Sequence, residues 1–218
     1  MTDQELIERT IAFVKQQLET AEGGHDWFHI ERVYQNTLQI AKKEHVDHLT
    51  VSLAALLHDI ADSKFHDGDE TIGPQLAREF LFKNNVDSLV IEHVINIIEH
   101  MSFKNTFDNG VSFTSKELEV VQDADRLDAI GAIGIARAFN YGGYKNRKLF
   151  DPEIQPNLNL TKEAYKKSEA PTINHFYEKL LLLKDKMNTN SGKQIAAKRH
   201  KYMEDFLEQF YAEWNGKK

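Results

Sequence analysis

The chain has 218 residues, enough for one compact domain with an extension but short for two independent cores. Its 41% hydrophobic and 28% charged residues are ordinary for a globular protein, and the absence of cysteine excludes disulfides and thiolate-held metal sites, so any metal must be held by His, Asp or Glu. A net charge of −7 argues against binding to nucleic acid polymers but leaves open a small phosphorylated ligand met by a metal and a few local cations.

Only four prolines and eleven glycines interrupt the chain, which favours helices. Met1 to Thr20 is amphipathic, with Ile7, Ile11, Val14 and Leu18 on one stripe and no apolar signal core. No run of about 18 apolar residues occurs, so no membrane span is expected and the expected location is cytoplasmic. Gly23-Gly24 stops the first helix. Asp26 is placed to cap a second, with Ile30, Val33, Thr37 and Ile40 inward. Thr50 is placed to cap a third, from Val51 to about Asp62, which is apolar nearly all round and therefore buried.

Asp67 to Thr71 reads as a polar loop, followed by helices near Gly73 to Lys83 and Asp87 to Met101. Thr114 with Glu117 has capping-box spacing and opens a long helix through Ala138, ended by Tyr141-Gly142-Gly143. Residues 145–171 hold three of the four prolines and read as a long loop, functional or mobile. Helices at about Thr172 to Met187 and Gly192 to Trp214 complete the chain, the last with Ala196, His200, Met203, Leu207, Phe210 and Trp214 on one stripe. The fold class expected is all-α.

The informative residues are polar groups where a core should be apolar. His58-Asp59 follows Ala54-Ala55-Leu56-Leu57, and a buried carboxylate needs a cation or strong hydrogen bonds. Adjacent helical residues point about 100° apart, yet both can reach an ion beside the axis. Asp123, Asp125 and Asp128 interrupt another apolar helix, with Asp125 and Asp128 sharing a face. Gly131 and Gly134 in mid-helix imply close approach of a neighbour. His29 lies on the Val33, Thr37 and Ile40 side of the second helix. Each piece alone also fits a buried ion pair or a satisfied core histidine, and Arg126 is placed to neutralise Asp123 or Asp128. Together His29, His58, Asp59 and Asp125 supply two imidazoles and two carboxylates. That set suits one divalent ion such as Mn, Fe, Co, Ni, Zn or Mg, manganese foremost.

His29 followed by Ile30-Glu31-Arg32-Val33, then His58-Asp59, then Asp125 in Ala-Asp-Arg-Leu-Asp resembles the H…HD…D signature of the HD-domain phosphohydrolase superfamily, over about residues 25–139. The resemblance implies a single HD domain, an all-helical bundle with C-terminal helices at about 172–214, and His29, His58, Asp59 and Asp125 as the metal ligands. Asp125 is preferred to Asp123 and Asp128 because the family aspartate precedes a basic residue, here Arg126.

Gly24-His25-Asp26-Trp27-Phe28-His29, His58-Asp59-Ile60-Ala61-Asp62, Ser102-Phe103-Lys104, Tyr141-Gly142-Gly143 and His175-Phe176-Tyr177-Glu178-Lys179-Leu180 are similar to a small bacterial branch with nucleotide pyrophosphohydrolase activity. That likeness implies cleavage of nucleoside or deoxynucleoside triphosphates to monophosphate and pyrophosphate. The glycine-tyrosine-proline motif of cyclic dinucleotide phosphodiesterases is missing. So is the Glu-Asp pair of alarmone hydrolases, since Ser63 follows Asp62.

Asp62, three residues beyond Asp59, is the candidate general base or water-orienting group, against a plain helix-end carboxylate. His25, Lys104 and Lys179 are candidate contacts to substrate phosphates, with Lys145, Arg147, Lys148 and Lys193 weaker ones. The 145–171 loop is a candidate cover for the nucleotide. His93 and His100, one heptad apart, suggest either a solvent-facing polar stripe or a second metal. His200 reads as core; His45, His48 and His66 read as loop residues. A 5′-nucleotidase or phosphodiesterase on the same metal, a non-catalytic nucleotide-binding module, and a structural helical protein are the competing readings. The oligomeric state is not legible.

Overall fold

A computed structural model of the protein describes residues 1–19, 26–61, 69, 71–101, 113–158 and 169–218. Among these the elements are helical throughout: α1 (Asp3–Gln17), α2 (Trp27–Ala41), α3 (His48–Leu57), α4 (Ile72–Lys83), α5 (Ser88–His100), α6 (Lys116–Asp128), α7 (Gly131–Tyr144), α8 (Thr172–Glu178), a 3₁₀ helix (Leu180–Lys186) and α9 (Asn190–Trp214). The all-α expectation holds, and no strand occurs among the described residues. No described helix is long and apolar enough to cross a membrane. The chain divides into two compact units, Met1–Asp125 and Arg126–Lys218, with the boundary inside α6.

Local signals explain the helix starts. Thr2 and Glu5 form a reciprocal capping box on α1. Asp26 accepts from the His29 backbone N–H at 3.0 Å, so the predicted cap of α2 is in place. Two caps differ from expectation. Asp47, not Thr50, caps α3, accepting from the Thr50 N–H at 2.7 Å, because an acidic N-cap three residues earlier adds another turn. Consequently His48 opens α3 instead of lying in a loop. Ser115, not Thr114, accepts from the Leu118 N–H at 3.0 Å at the start of α6.

In the first unit α3 is the centre. Every residue from Thr50 to Leu57 is buried, and α1, α2 and α5 pack around it, with α4 against α5. The helix is apolar all round because neighbours cover all of it. The buried edge of α1 is Leu6, Thr10 and Val14, with Ile7 and Ile11 half-buried beside it. On α2, Ile30, Val33, Thr37 and Ile40 are buried as the periodicity requires.

In the second unit α7 packs on α9 and α8, and the 3₁₀ helix packs on both α8 and α9. The single helix expected over Thr172 to Met187 is two pieces, α8 and the 3₁₀ helix, with Lys179 at the break. Phe139, Phe176, Phe206 and Phe210 form a chain of ring contacts, with Phe176 and Phe206 stacked at 5.8 Å. Near the end of α9, Phe150 meets Trp214 edge-on at 5.1 Å.

The long helix expected through Ala138 is broken. α6 ends at Asp128, and α7 begins at Gly131, whose φ of +75° is one that L side chains rarely adopt. A Cβ on Gly131 would stand 3.0 Å from the Arg199 side chain. The glycine therefore serves both a left-handed turn and the approach of α9. Arg199 donates to the Leu127 carbonyl and Arg137 to the Asp128 carbonyl, so two guanidinium groups satisfy the last carbonyls of α6. Burial pulls the Arg199 pKa below its usual value, and the nearby Asp128 carboxylate works against that.

Candidate metal centre

The geometry starts at the C-terminal end of α3. His58 caps that helix with α-region dihedrals and is followed by Asp59 in the turn. Both were expected inside the helix; the helix stops one residue before them. The His58 Nδ1 lies 2.8 Å from the Ala55 carbonyl oxygen. A carbonyl only accepts, so Nδ1 carries the proton and Nε2 keeps a lone pair for a cation.

His29 sits in the first turn of α2, buried, where the Asp26 cap fixes its backbone. Its ring meets the His58 ring at 5.5 Å between centroids, inclined by 66°. From α6, Asp125 brings its Oδ1 to 3.6 Å from His29 Nε2, with 44% of the Asp125 side chain exposed against 4% for His29. One ligand atom each from His29, His58 and Asp125 lies within 4.8 Å of the others.

The spacing tests the fit of an ion. A His–carboxylate separation of 3.6 Å is too long for a hydrogen bond. It matches two ligands of one first-row ion, which stand roughly 3.0–4.2 Å apart at bond lengths of about 2.1 Å. A set of two imidazoles and a carboxylate is one that holds borderline divalent ions. The partial exposure of Asp125 leaves a side from which water and a ligand can approach.

Other expected residues fall elsewhere. Asp59 is half-buried and, among the described residues, is not in the cluster of three. His25, Asp62 and Lys104 lie outside the described residues, as do His66 and residues 159–168 of the long loop. The described start of that loop is fastened to α8: Lys148 and Leu149 carbonyls accept from Thr172 and Ile173, and the Asn174 amide donates to the Ile154 carbonyl at 3.0 Å. Lys179 is exposed just beyond α8, one turn from His175.

The His93 ring contacts Ser115 Oγ at 3.0 Å and Glu117 at 3.5 Å, and the His100 ring contacts the Asn96 carbonyl at 2.8 Å. Both rings pack on Phe113. Neither joins a three-ligand cluster among the described residues. His200 is largely buried beside Glu204, in keeping with a core reading.

Around Asp125, Asp123 and Asp128 are both buried. Asp128 pairs with Arg137, nine residues on, whereas Arg126 donates to the Lys186 carbonyl at 2.6 Å. The Arg137 pairing arises because the turn at Gly131 brings α7 back past the end of α6. Asn36 is a further buried polar residue that the inward face of α2 contains and that site reasoning from sequence passed over. A polar group three residues after Val33 and one before Thr37 on that face was the available signal.

The family model of the HD domain matches residues 27–130. The chain is 37% identical over 213 residues to YpgQ of Bacillus subtilis, spanning 96% of this chain and 94% of that protein. The chain belongs to the HD-domain superfamily. An HD-superfamily hydrolase from Bacillus thuringiensis superposes with a TM-score of 0.79 at 45% identity, over 98% of this chain and 99% of that one. The crystal structure of Bacillus subtilis YpgQ in complex with ADP gives 0.73 at 33% identity, over 98% and 97%. HD domains bind divalent metals, and the His-His-Asp cluster lies within the matched segment and is placed to hold one. Metal-dependent hydrolysis is the chemistry these HD relatives support.

Proposed function

We propose that this HD domain is a nucleotide pyrophosphohydrolase, adding water across the α–β phosphoanhydride of nucleoside or deoxynucleoside triphosphates to give a monophosphate and pyrophosphate. The convergence of His29, His58 and Asp125 is the observation that carries the metal-dependent half of this reading. The nucleotide half is supported by the ADP held by YpgQ and by the sequence motifs shared with the pyrophosphohydrolase branch.

A divalent ion, manganese foremost, would lower the pKa of water and polarise a phosphoryl oxygen when bound. His29 and His58 would hold it through imidazole nitrogens, and Asp125 through a carboxylate oxygen. Asp59 would join as the fourth ligand. Asp62 would serve as the general base that takes a proton from water. His25 and Lys104 would offset the negative charge of the phosphates, which is most of what phosphoryl transfer asks of a protein.

The test is a panel of nucleoside mono-, di- and triphosphates incubated with the Mn-loaded protein, with products identified by phosphorus NMR. Equal amounts of monophosphate and pyrophosphate from triphosphates are expected. Orthophosphate released only from monophosphates would make the protein a 5′-nucleotidase. Micromolar binding without turnover under any divalent ion would make it a binding module.

A further inference from the structure

Asn36 lies seven residues, two helical turns, beyond His29 on α2, and therefore on the same face. It is buried, and its Nδ2 donates to the backbone carbonyl of Ala124 at 3.2 Å. Ala124 immediately precedes Asp125. Between α2 and the part of α6 in the first unit, this bond and the 3.6 Å approach of His29 to Asp125 tie the two helices at neighbouring points. A buried side-chain amide keeps its hydrogen bonds, so this bond favours one register of α6 against α2. A slide of α6 by even one residue would turn Asp125 about 100° away from His29. Ala124 is fully buried, so the contact is shielded from water.

From this we infer that Asn36 is a positioning residue of the metal centre, acting through the Ala124 carbonyl to hold Asp125 where it shares a cation with His29 and His58. The inference rests on the reading of that cluster as a metal site. It reaches past the ligands themselves to a residue that touches neither the ion nor a substrate.

The test is calorimetric titration of Mn(II) alone into chelator-stripped full-length protein, together with thermal melts of the stripped forms. Asn36→Leu, close in size but without a donor, and Asn36→Ser, too short to reach, are each expected to weaken Mn(II) affinity roughly tenfold, in the range measured for groups that orient metal ligands. Val14→Ala serves as a matched core truncation in α1; it should lower Tm with Mn(II) affinity unchanged, which separates positioning from general softening. If Asn36→Leu does not fold, the smaller Asn36→Ser decides. Affinity within twofold of the parent in a folded Asn36 variant would overturn the inference. So would an equal loss in Val14→Ala. Absence of stoichiometric Mn(II) binding by the parent protein would instead overturn the metal reading itself.

Discussion

At the scale of single residues, the site depends on what each donor is attached to. The His58 ring is oriented by a carbonyl three residues back, and the His29 backbone is fixed by a helix cap. Asp125 is more exposed than His29 and, among the described residues, is the only carboxylate in the cluster. Asp125→Asn should therefore keep the fold, removing charge and not volume, while weakening metal affinity by more than about 100-fold, since even groups one step removed from a ligand are worth roughly 10–100-fold. Metal analysis after dialysis checks this; a variant that retains one equivalent would exclude Asp125 as a ligand. His175 offers a second residue-scale consequence. Burial, with Lys179 and Arg147 adding to it, holds its pKa down to about 4 from 6.5. The unfolded chain then binds a proton that the folded one refuses between those values, so this contribution to stability is intact above pH 6.5 and lost as pH falls towards 4. The full loss is roughly 3 kcal/mol. Replacing His175 by Gln should flatten the fall of Tm over that window relative to the parent; parallel curves would contradict it.

Among the helices, those with strong periodicity were legible: α2 behind its Asp26 cap, α5 near Asp87 to Met101, and the buried α3, though not its Asp47 cap. What sequence reasoning lost were the interruptions. Nothing in the run Ala129-Ile130-Gly131 says whether a glycine sits inside a helix or ends one, because both give the same apolar spacing on either side. The deciding facts are tertiary: Arg199 against Gly131, and Arg137 turned back on Asp128. Gly131→Ala should cost about 1–2 kcal/mol from the left-handed dihedral alone. Crowding at 3.0 Å against Arg199 adds to that. A Tm lowered by roughly 2–8 °C is expected. An unchanged Tm would mean that the turn does not need glycine.

For the whole molecule, the all-helical architecture and the family were written in the chain, because three motif pieces fall in order along a chain whose helices the period reveals. Three of the four expected metal ligands come together from α2, the end of α3 and α6. Asp59 lies outside that cluster of three, and adjacency to His58 says nothing about where the helix ends. The supporting polar contacts, Asn36 to Ala124 above all, were hidden because an i+7 spacing on one helix does not name its partner on another. The nucleotide preference is a property of groups that composition cannot rank, and only turnover will rank them. The central claim is that one divalent ion is shared by side chains from three helices. Anomalous diffraction from Mn-soaked crystals of the full chain addresses it most directly. A single peak within about 2.3 Å of ligand atoms of His29, His58 and Asp125, with the Asp59 carboxylate turned onto it, is the expected result. No peak between the two imidazoles would contradict the account.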